Sequence, residues 1–245
     1  MLRLMADFHV HTCLSPCADD TMTPKTIVEA ALKRGLGLIA ISDHNSAENV
    51  EAAVAAAESL PLSVLPGIEI TSAEEVHVLG IFETCKSALE VQKVVYEHLI
   101  SGQNDEKLFG YQFAVDQFDY VVSENERLLI GATDMSVDQV VAAVHKLGGL
   151  AVAAHIERER FGLLYQLGFM PESLELDAVE LTSKTTLKEV RDRFGCTLDF
   201  PVLRDSDAHF KEDIGKFSNE LVVEAPTLAE IRMALRGVEG RQLIN

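Results

Sequence analysis

The chain has no tryptophan and only four cysteines, Cys13, Cys17, Cys85 and Cys196, with no CxxC pair among them. Sparse thiols without that spacing suit reduced cysteines in a cytosolic protein. Cys17, close behind two histidines, could instead touch a metal. Basic residues are scarce, with 21 Lys and Arg against 39 Asp and Glu, a net charge of -18. No basic stripe compensates, so bulk-surface binding to a nucleic-acid backbone is not expected. The charge suits a soluble protein that stays monomeric or weakly associated. No apolar run reaches the roughly 18 residues of a membrane span. Nothing before the first apolar run resembles a signal peptide, so the expected location is cytoplasmic. No GxGxxG follows that run, which excludes a Rossmann dehydrogenase. No GxSxG elbow is present either, which excludes a serine hydrolase of that design.

What is present is a regular alternation. The chain of 245 residues is 47% hydrophobic, enough for one sizeable core. Strand candidates are 4–10, 36–41, 63–70, 76–82, 150–154, 178–181, 201–203 and 220–223. Helix start signals lie between them. Thr23-Pro24 is an N-cap and first-turn pair. "NSAE" from Asn45, "SVDQ" from Ser136 and "TLAE" from Thr227 resemble capping boxes. Alternating strands and helices predict an α/β fold with a parallel sheet, open or closed into a barrel. Residues 86–134 fit least well. "VQKVVYEHLI" reads as a helix and "FAVDQFDYVVSENERLLI" as helical at its start. The expected organisation is one domain over residues 1–245, with an insertion or lid at about 100–135.

The polar residues are not scattered. His9 and His11 close the first run, and Asp43 and His44 follow the second. Glu69 ends the third, and His77 lies in the fourth. His155 follows "GGLAVAA", and Asp207 and His209 follow "PVLRDS". Six of the eight histidines fall at strand ends, leaving His98 and His145 in helix-like segments as ordinary surface or packing residues. Carboxyl ends of barrel strands meet on one face, and chemistry gathers there. Strand side chains alternate, so His9 and His11 share a face and can grip one ion, with Val10 turned into the packing. A mixed His and carboxylate set suits zinc, manganese or iron.

In this order, "DFHVHT", "AISDHN", "PGIEI", "HVLGIF", "AAHI" and "SDAH" resemble the PHP (polymerase and histidinol phosphatase) superfamily, from about Ala6 to His209. The resemblance implies a distorted (β/α)7 TIM-like barrel with three divalent ions at its mouth. It implies His9, His11, Glu69 and Asp207 around the first ion. Glu69, His77 and His155 would hold the second. His44, His209 and a residue of the following loop would hold the third. Matching "ADDTMTP" to the family's usual loop selects Asp19. The loop is longer here, and Asp20 and Cys17 stay open as alternatives. Asp7 and Asp43 are expected to orient imidazoles or brace loops. Asp205 is open to the same role or to that of a solvated loop carboxylate.

The implied activity is that of a metal-dependent phosphoesterase. Three divalent ions would make the pocket positive within an acidic protein, because local ion charge governs such a site. An ion-activated water would attack phosphorus, with Asp207 and His209 as catalytic candidates. Arg158 and Arg160 are candidates for a phosphate clamp, with Lys184 and Arg204 as weaker ones. The expected partner is a small phosphorylated metabolite or nucleotide, without membrane contact or strong nucleic-acid binding. Histidinol-phosphate phosphatase and a non-catalytic metal-binding or polymerase-associated module are the alternatives.

Overall fold

The computed structural model describes residues 1–182, 185–196 and 198–244 of the chain. Its strands are β1 (Leu2–Val10), β2 (Leu38–Ile41), β3 (Ser63–Thr71), β4 (His77–Ile81), β5 (Phe113–Val115), β6 (Val121–Glu124), β7 (Leu150–Ala153), β8 (Ala178–Glu180), β9 (Val202–Leu203), β10 (Asn219–Val223) and β11 (Gln242–Ile244). Its helices are α1 (Pro24–Lys33), α2 (Val50–Ala56), α3 (Cys85–His98), α4 (Glu106–Phe109), α5 (Val137–Lys146), α6 (Leu163–Leu167), α7 (Leu187–Phe194) and α8 (Leu228–Arg236). Three of the expected start signals do cap helices. Thr23 accepts from the Thr26 N–H ahead of Pro24 in α1. Ser136 and Gln139 form a reciprocal capping box on α5, and Thr227 accepts from the Glu230 N–H on α8. "NSAE" does not cap a helix, because α2 begins at Val50 behind an Asn49 whose side chain makes no cap bond.

Nine strands form one curled sheet in the order β11-β10-β1-β2-β3-β4-β7-β8-β9. The expected (β/α)7 barrel is met in its α/β class but not in strand direction or closure. β4 runs antiparallel to both β3 and β7, and β10 is antiparallel to β1. Only five residues, 72–76, join β3 to β4, too few for a parallel crossover. The β9 end of the sheet returns to β1 through a single parallel bridge, Val10 to Ala208. Two bonds flank it, His11 N–H to the Ala208 carbonyl at 3.0 Å and Ala208 N–H to the His9 carbonyl at 3.2 Å. The sheet is therefore a half-barrel pinned at its seam.

Two apolar layers follow from strand alternation. Inside the curl, Ala6, Phe8, Leu38, Ala40, Leu65, Leu79, Ile81, Leu150 and Val152 pack with Leu228, Ile231 and Leu235 of α8. Outside it, Val10, Ile39, Ile41, Ile68, Ile70 and Val78 pack under α1, α2, α3 and α5. β1 changes frame on the way. Ala6 and Phe8 face inward, yet Val10 faces outward, and the register with β2 shifts between Asp7 and Val10. Such an irregularity re-aims side chains. It brings His9 and His11 over the mouth, above the apolar plug.

The stretch 113–130, read as helical at its start, opens instead as a strand. β5 and β6 form a small separate hairpin, and Leu99–Thr133 and Gln103–Arg127 make isolated bridges below it. Asn45 and Asn49 dock this segment. The Asn45 amide donates to the carbonyls of Leu129 and Gly131, each at 2.8 Å, and the Asn49 side chain brackets Phe113 and Val115. Among the described residues, no helix is long and apolar enough to cross a membrane.

Gly67 sits two residues before Glu69, where β2, β3 and β4 lie closest. A Cβ there would stand 2.7 Å from the Ile41 carbonyl and 3.0 Å from the Gly80 carbonyl, both rigid backbone. Gly67→Ala is expected to cost about 1–3 kcal/mol of stability. The measurement is a lower urea midpoint at unchanged slope.

Candidate metal centre

Glu69 is the hub. Its carboxylate lies within 3.5 Å of five imidazoles: His77 at 2.7 Å, His44 at 2.9 Å, His9 and His155 at 3.3 Å and His11 at 3.5 Å. β1 supplies His9 and the position of His11, the turn after β2 supplies His44, and the turn after β7 supplies His155. His77 is the exception to the strand-end pattern. β4 is reversed, so its first residue reaches the mouth rather than its last. Asp207 and His209 arrive on the stretch after β9. Asp207 stands 3.2 Å from His11 Nε2 and 3.4 Å from His9 Nε2.

Hydrogen bonds from behind fix these rings. His9 Nδ1 meets Glu180 Oε2 at 2.8 Å, which leaves Nε2 facing inward. His11 Nδ1 meets Ser15 Oγ at 2.9 Å, and that hydroxyl donates to Asp43 at 2.7 Å. Asp43 also accepts from the Thr12 N–H and hydroxyl, so it braces the loop that carries the ring. Asp7 accepts from the Ser206 hydroxyl and the N–H groups of Ser206 and Gly215, anchoring the Asp207 stretch. Asp205 is not a solvated loop carboxylate. It is buried and accepts from the Phe8 N–H at 2.7 Å and the Asn219 amide at 2.8 Å. Burial, reinforced by Glu180 and Asp7, holds its proton well above the usual carboxylate range.

The donor set fits divalent cations on the structure's own evidence. His9 Nε2 and His11 Nε2 face each other at 3.1 Å. His44 Nδ1 and Glu69 Oε2 approach to 2.9 Å, yet both are buried without a hydrogen-bond partner. Donor atoms crowded this closely can share protons only in part, and an ion at about 2.0–2.2 Å from each would satisfy them together. Among the described residues, three overlapping groups have this convergence: His9-His11-Glu69, His44-Glu69-His77 and His11-His44-His209. The titration of the cluster shows the same tension. Burial would raise the Glu69 carboxyl, but His77, His9 and His44 hold it well below its ordinary range. Burial opposes the charge on His9 too, but Asp207, Glu180 and Glu69 raise its pKa well above the usual value. Burial pushes His77 down to about 4. Burial, with His209, pushes His11 well down.

The remaining candidates divide. Arg158 bonds Asp207 through both terminal nitrogens, at 2.6 and 2.9 Å. Arg160 is exposed. Arg204 turns inward to the carbonyls of Thr182 and Thr185, holding a loop rather than facing the mouth. Lys184 lies outside the described residues. Asp19 is not among the three convergent groups, and its Oδ1 instead accepts from the Thr21 N–H and hydroxyl. The Cys17 thiol is exposed, with His209 and His44 as its neighbours. Burial would raise it, but those two rings lower it to about 7. His98 and His145 pair with Asp134 and Asp177, away from the cluster. Glu180 is the residue that sequence reasoning missed. It shares the inward face of β8 with Ala178, and that alternation was the available signal.

The family model described as PHP domain matches residues 7–177. Among solved structures, the lesion-specific endonuclease PfuEndoQ of Pyrococcus furiosus superposes with a TM-score of 0.75 at 20% identity, over 99% of this chain and 58% of that one. A structure of Endonuclease Q with a 27-mer duplex bearing an abasic lesion at its active site gives a TM-score of 0.73 at 20% identity, with the same coverage of each chain. YqxK of Bacillus subtilis, described as uncharacterized, is 26% identical over all of this chain and 65% of its own length. The 5'-3' exoribonuclease Rnm of Salmonella typhimurium is 34% identical over 80 residues, 31% of this chain and 26% of that protein. The chain thus spans only part of each of these relatives.

These likenesses correct the expectation of a small metabolite without strong nucleic-acid binding. Endonuclease Q was solved with a lesion-bearing DNA duplex, and Rnm is named an exoribonuclease. Net charge was the wrong guide because it averages the whole surface, while contact with phosphate is decided by the few charges at the mouth.

Glu180→Ala removes the carboxylate behind His9 without touching a donor atom. It is expected to weaken the tightest bound divalent ion about 10–100-fold, read by competition with a chromogenic chelator.

Proposed function

From the premise that this chain belongs to the PHP domain family, we propose that it is a metal-dependent phosphodiesterase that cuts a nucleic-acid strand. The observation that carries the reading is the set of five imidazoles within 3.5 Å of one buried glutamate. His9, His11, Glu69 and Asp207 would hold one ion, Glu69, His77 and His155 a second, and His44 and His209 a third. When bound, the ions supply Lewis-acid charge to the phosphate and a nucleophilic water near neutral pH.

The chain's own residues set the direction of approach. The side chains of Asp207 and His209 are 19% and 20% exposed, whereas the other donors are nearly sealed. A scissile phosphate therefore enters over these two residues. Arg158 reaches the same edge through Asp207, with its side chain 40% exposed. Once Asp207 turns to the ions, the Arg158 guanidinium is free to clasp phosphate oxygens in a bidentate fork. Arg160 adds charge farther out.

Nucleic acid is favoured over a small metabolite by exposed rings: Phe210 follows His209 in the chain, and Tyr111, Phe118 and Tyr120 lie on the segment that the loop after His11 holds through Cys17 N–H to the Phe109 carbonyl. Exposed rings beside a phosphate site stack bases, at about 1–3 kcal/mol per base. Residues 100–135 would then act as a lid that seats bases while the metal centre takes the phosphate.

The test is a panel of end-labelled single-stranded RNA, single-stranded DNA and duplex DNA carrying an abasic site, with manganese- or zinc-loaded protein. Strand cleavage that EDTA abolishes is expected on at least one of these. Intact strands throughout, from protein shown to carry ions, would overturn the proposal. Arg158→Ala is expected to lower kcat about 10²–10³-fold, the loss typical of one charge-stabilising donor. Its metal content should stay the same.

A further inference from the structure

We propose that a cavity beside the metal mouth, floored by Glu157, holds a guanine base of the strand whose phosphate is cut. The inference rests on reading the centre as a strand-cutting phosphodiesterase, and it adds which base that site selects.

Glu157 is buried, and one of its oxygens is fully engaged. Oε1 accepts from the Thr182 N–H at 2.9 Å and from the Thr182 hydroxyl. Oε2 is buried too, yet among the described residues it has no hydrogen-bond partner. A buried carboxylate oxygen in that state is costly unless a donor reaches it. The same side chain lines a cavity of about 460 Å³ with Thr185 and with Val190, Arg193 and Phe194 of α7. Small-ligand pockets run from about 300 to 1,000 Å³. Val190 and Phe194 stand four residues apart and share one helix face. The Arg193 guanidinium lies over the Tyr165 and Phe194 rings, 4.7 and 5.4 Å from their centroids. Arg204 braces the floor from behind through the carbonyls of Thr182 and Thr185. The cavity thus pairs flat walls with one unmet acceptor. A side-chain adjustment of the kind common on binding brings Oε2 to the ligand.

The lining is wrong for a phosphate, because Glu189 and Asp192 add two more carboxylates. It does not suit a metal ion either, since none of the convergent groups among the described residues includes Glu157. A flat, uncharged ring with N–H donors on its edge remains. Position makes that ring a base. Glu157 directly precedes Arg158, and their side chains part, one to Thr182 and the other to Asp207 at 2.6 Å. A strand whose phosphate lies at Arg158 therefore brings a neighbouring base to Glu157. Guanine carries two adjacent donors, N1–H and N2–H, which meet the two free lone pairs of Oε2. Adenine and cytosine set a ring acceptor beside the amino group. Uracil and thymine flank a single N–H with two carbonyls. Each of these turns a lone pair toward the carboxylate and is repelled.

The experiment gives the metal-loaded full chain end-labelled single strands in which the bases flanking the cut are guanine, hypoxanthine or adenine, and compares kcat/KM. Guanine is expected to be favoured over adenine by about 5–150-fold. Hypoxanthine, which keeps N1–H but lacks the amino group, should fall between them. Glu157→Gln tests the atom itself. The Thr182 N–H holds the amide carbonyl at the Oε1 place, so the NH2 group takes the Oε2 place and a donor replaces the acceptor. The guanine preference should vanish and pass to adenine, whose N1 accepts, with bound ions unchanged. Equal cutting at all three bases, or a guanine preference kept by Glu157→Gln, overturns the pocket while the phosphodiesterase reading stands. Should the variant not fold, the order of the three bases in the wild type decides. If no strand is cut, that reading falls, and saturation-transfer NMR with guanosine, inosine and adenosine, which carry no phosphate, tests the pocket by itself. Transfer strongest to guanosine upholds it, and equal or absent transfer overturns it.

Discussion

The rest of the structure depends on a buried carboxylate surrounded by imidazoles. An ionised carboxylate in a protein interior is very costly unless opposite charge compensates it. His77, His9 and His44 hold Glu69 well below its ordinary range against burial, and of these rings His9 and His44 carry raised pKa values while His77, like His11, is pushed down by burial. Protons on some rings and not on others thus do, imperfectly, what cations would do well. The division is forced, because His9 Nε2 and His11 Nε2, 3.1 Å apart, cannot both carry protons toward each other. Divalent ions would displace those protons and satisfy the facing lone pairs together.

Holding such a cluster requires departures from regular strand geometry, and these fall where donors are delivered. The register shift in β1 turns His9 and His11 over the mouth. The reversal of β4 presents His77 from a strand start. Asn45, His155 and Asp207 all have positive φ, at 51°, 30° and 48°. Each such backbone stores about 1–3 kcal/mol and persists only when its surroundings over-determine it. They do so here. Asn45 is tied by its side chain to Leu129, Gly131 and the Thr71 N–H. The Asp207 stretch is tied by Asp7 to Ser206 and Gly215. The inner apolar layer, plugged by α8, is the rigid floor on which these bonds act.

How much of this was legible in the sequence depends on how far each feature reaches along the chain. Ligand candidates at strand ends were legible because a strand and its last residue are local. The direction of β4 had a local signal as well, a five-residue join to β3 too short for a parallel crossover. Glu180 stood in plain alternation with Ala178. Asp205 was not legible, because its burial depends on Phe8, 197 residues away. "NSAE" reads as a helix start in isolation, but the loop's polar groups serve docking. Asn45 binds the segment above it, and Glu48 bonds Tyr96 and Asn125. The β5–β6 hairpin failed for the same reason. Val115 and Phe113 are extended because Asn49 and Cys13 hold their backbone, a tertiary preference that overrides local pattern.

The proposed polyanionic substrate is less at odds with a net charge of -18 than it looks. At physiological ionic strength, charges farther than about 8 Å are largely screened, so most surface carboxylates do not reach a phosphate at the mouth. On the proposed reading, what reaches it is Arg158, whatever ions Glu69 and its rings hold, and exposed aromatic side chains such as Phe210. Such a site would grip one or two phosphates strongly and the flanking strand through its bases. Binding built that way releases few counterions and so depends only weakly on salt, unlike binding by a basic groove. It also favours a substrate whose bases are free to leave the helix, because a stacked ring can hold only a base that the duplex gives up.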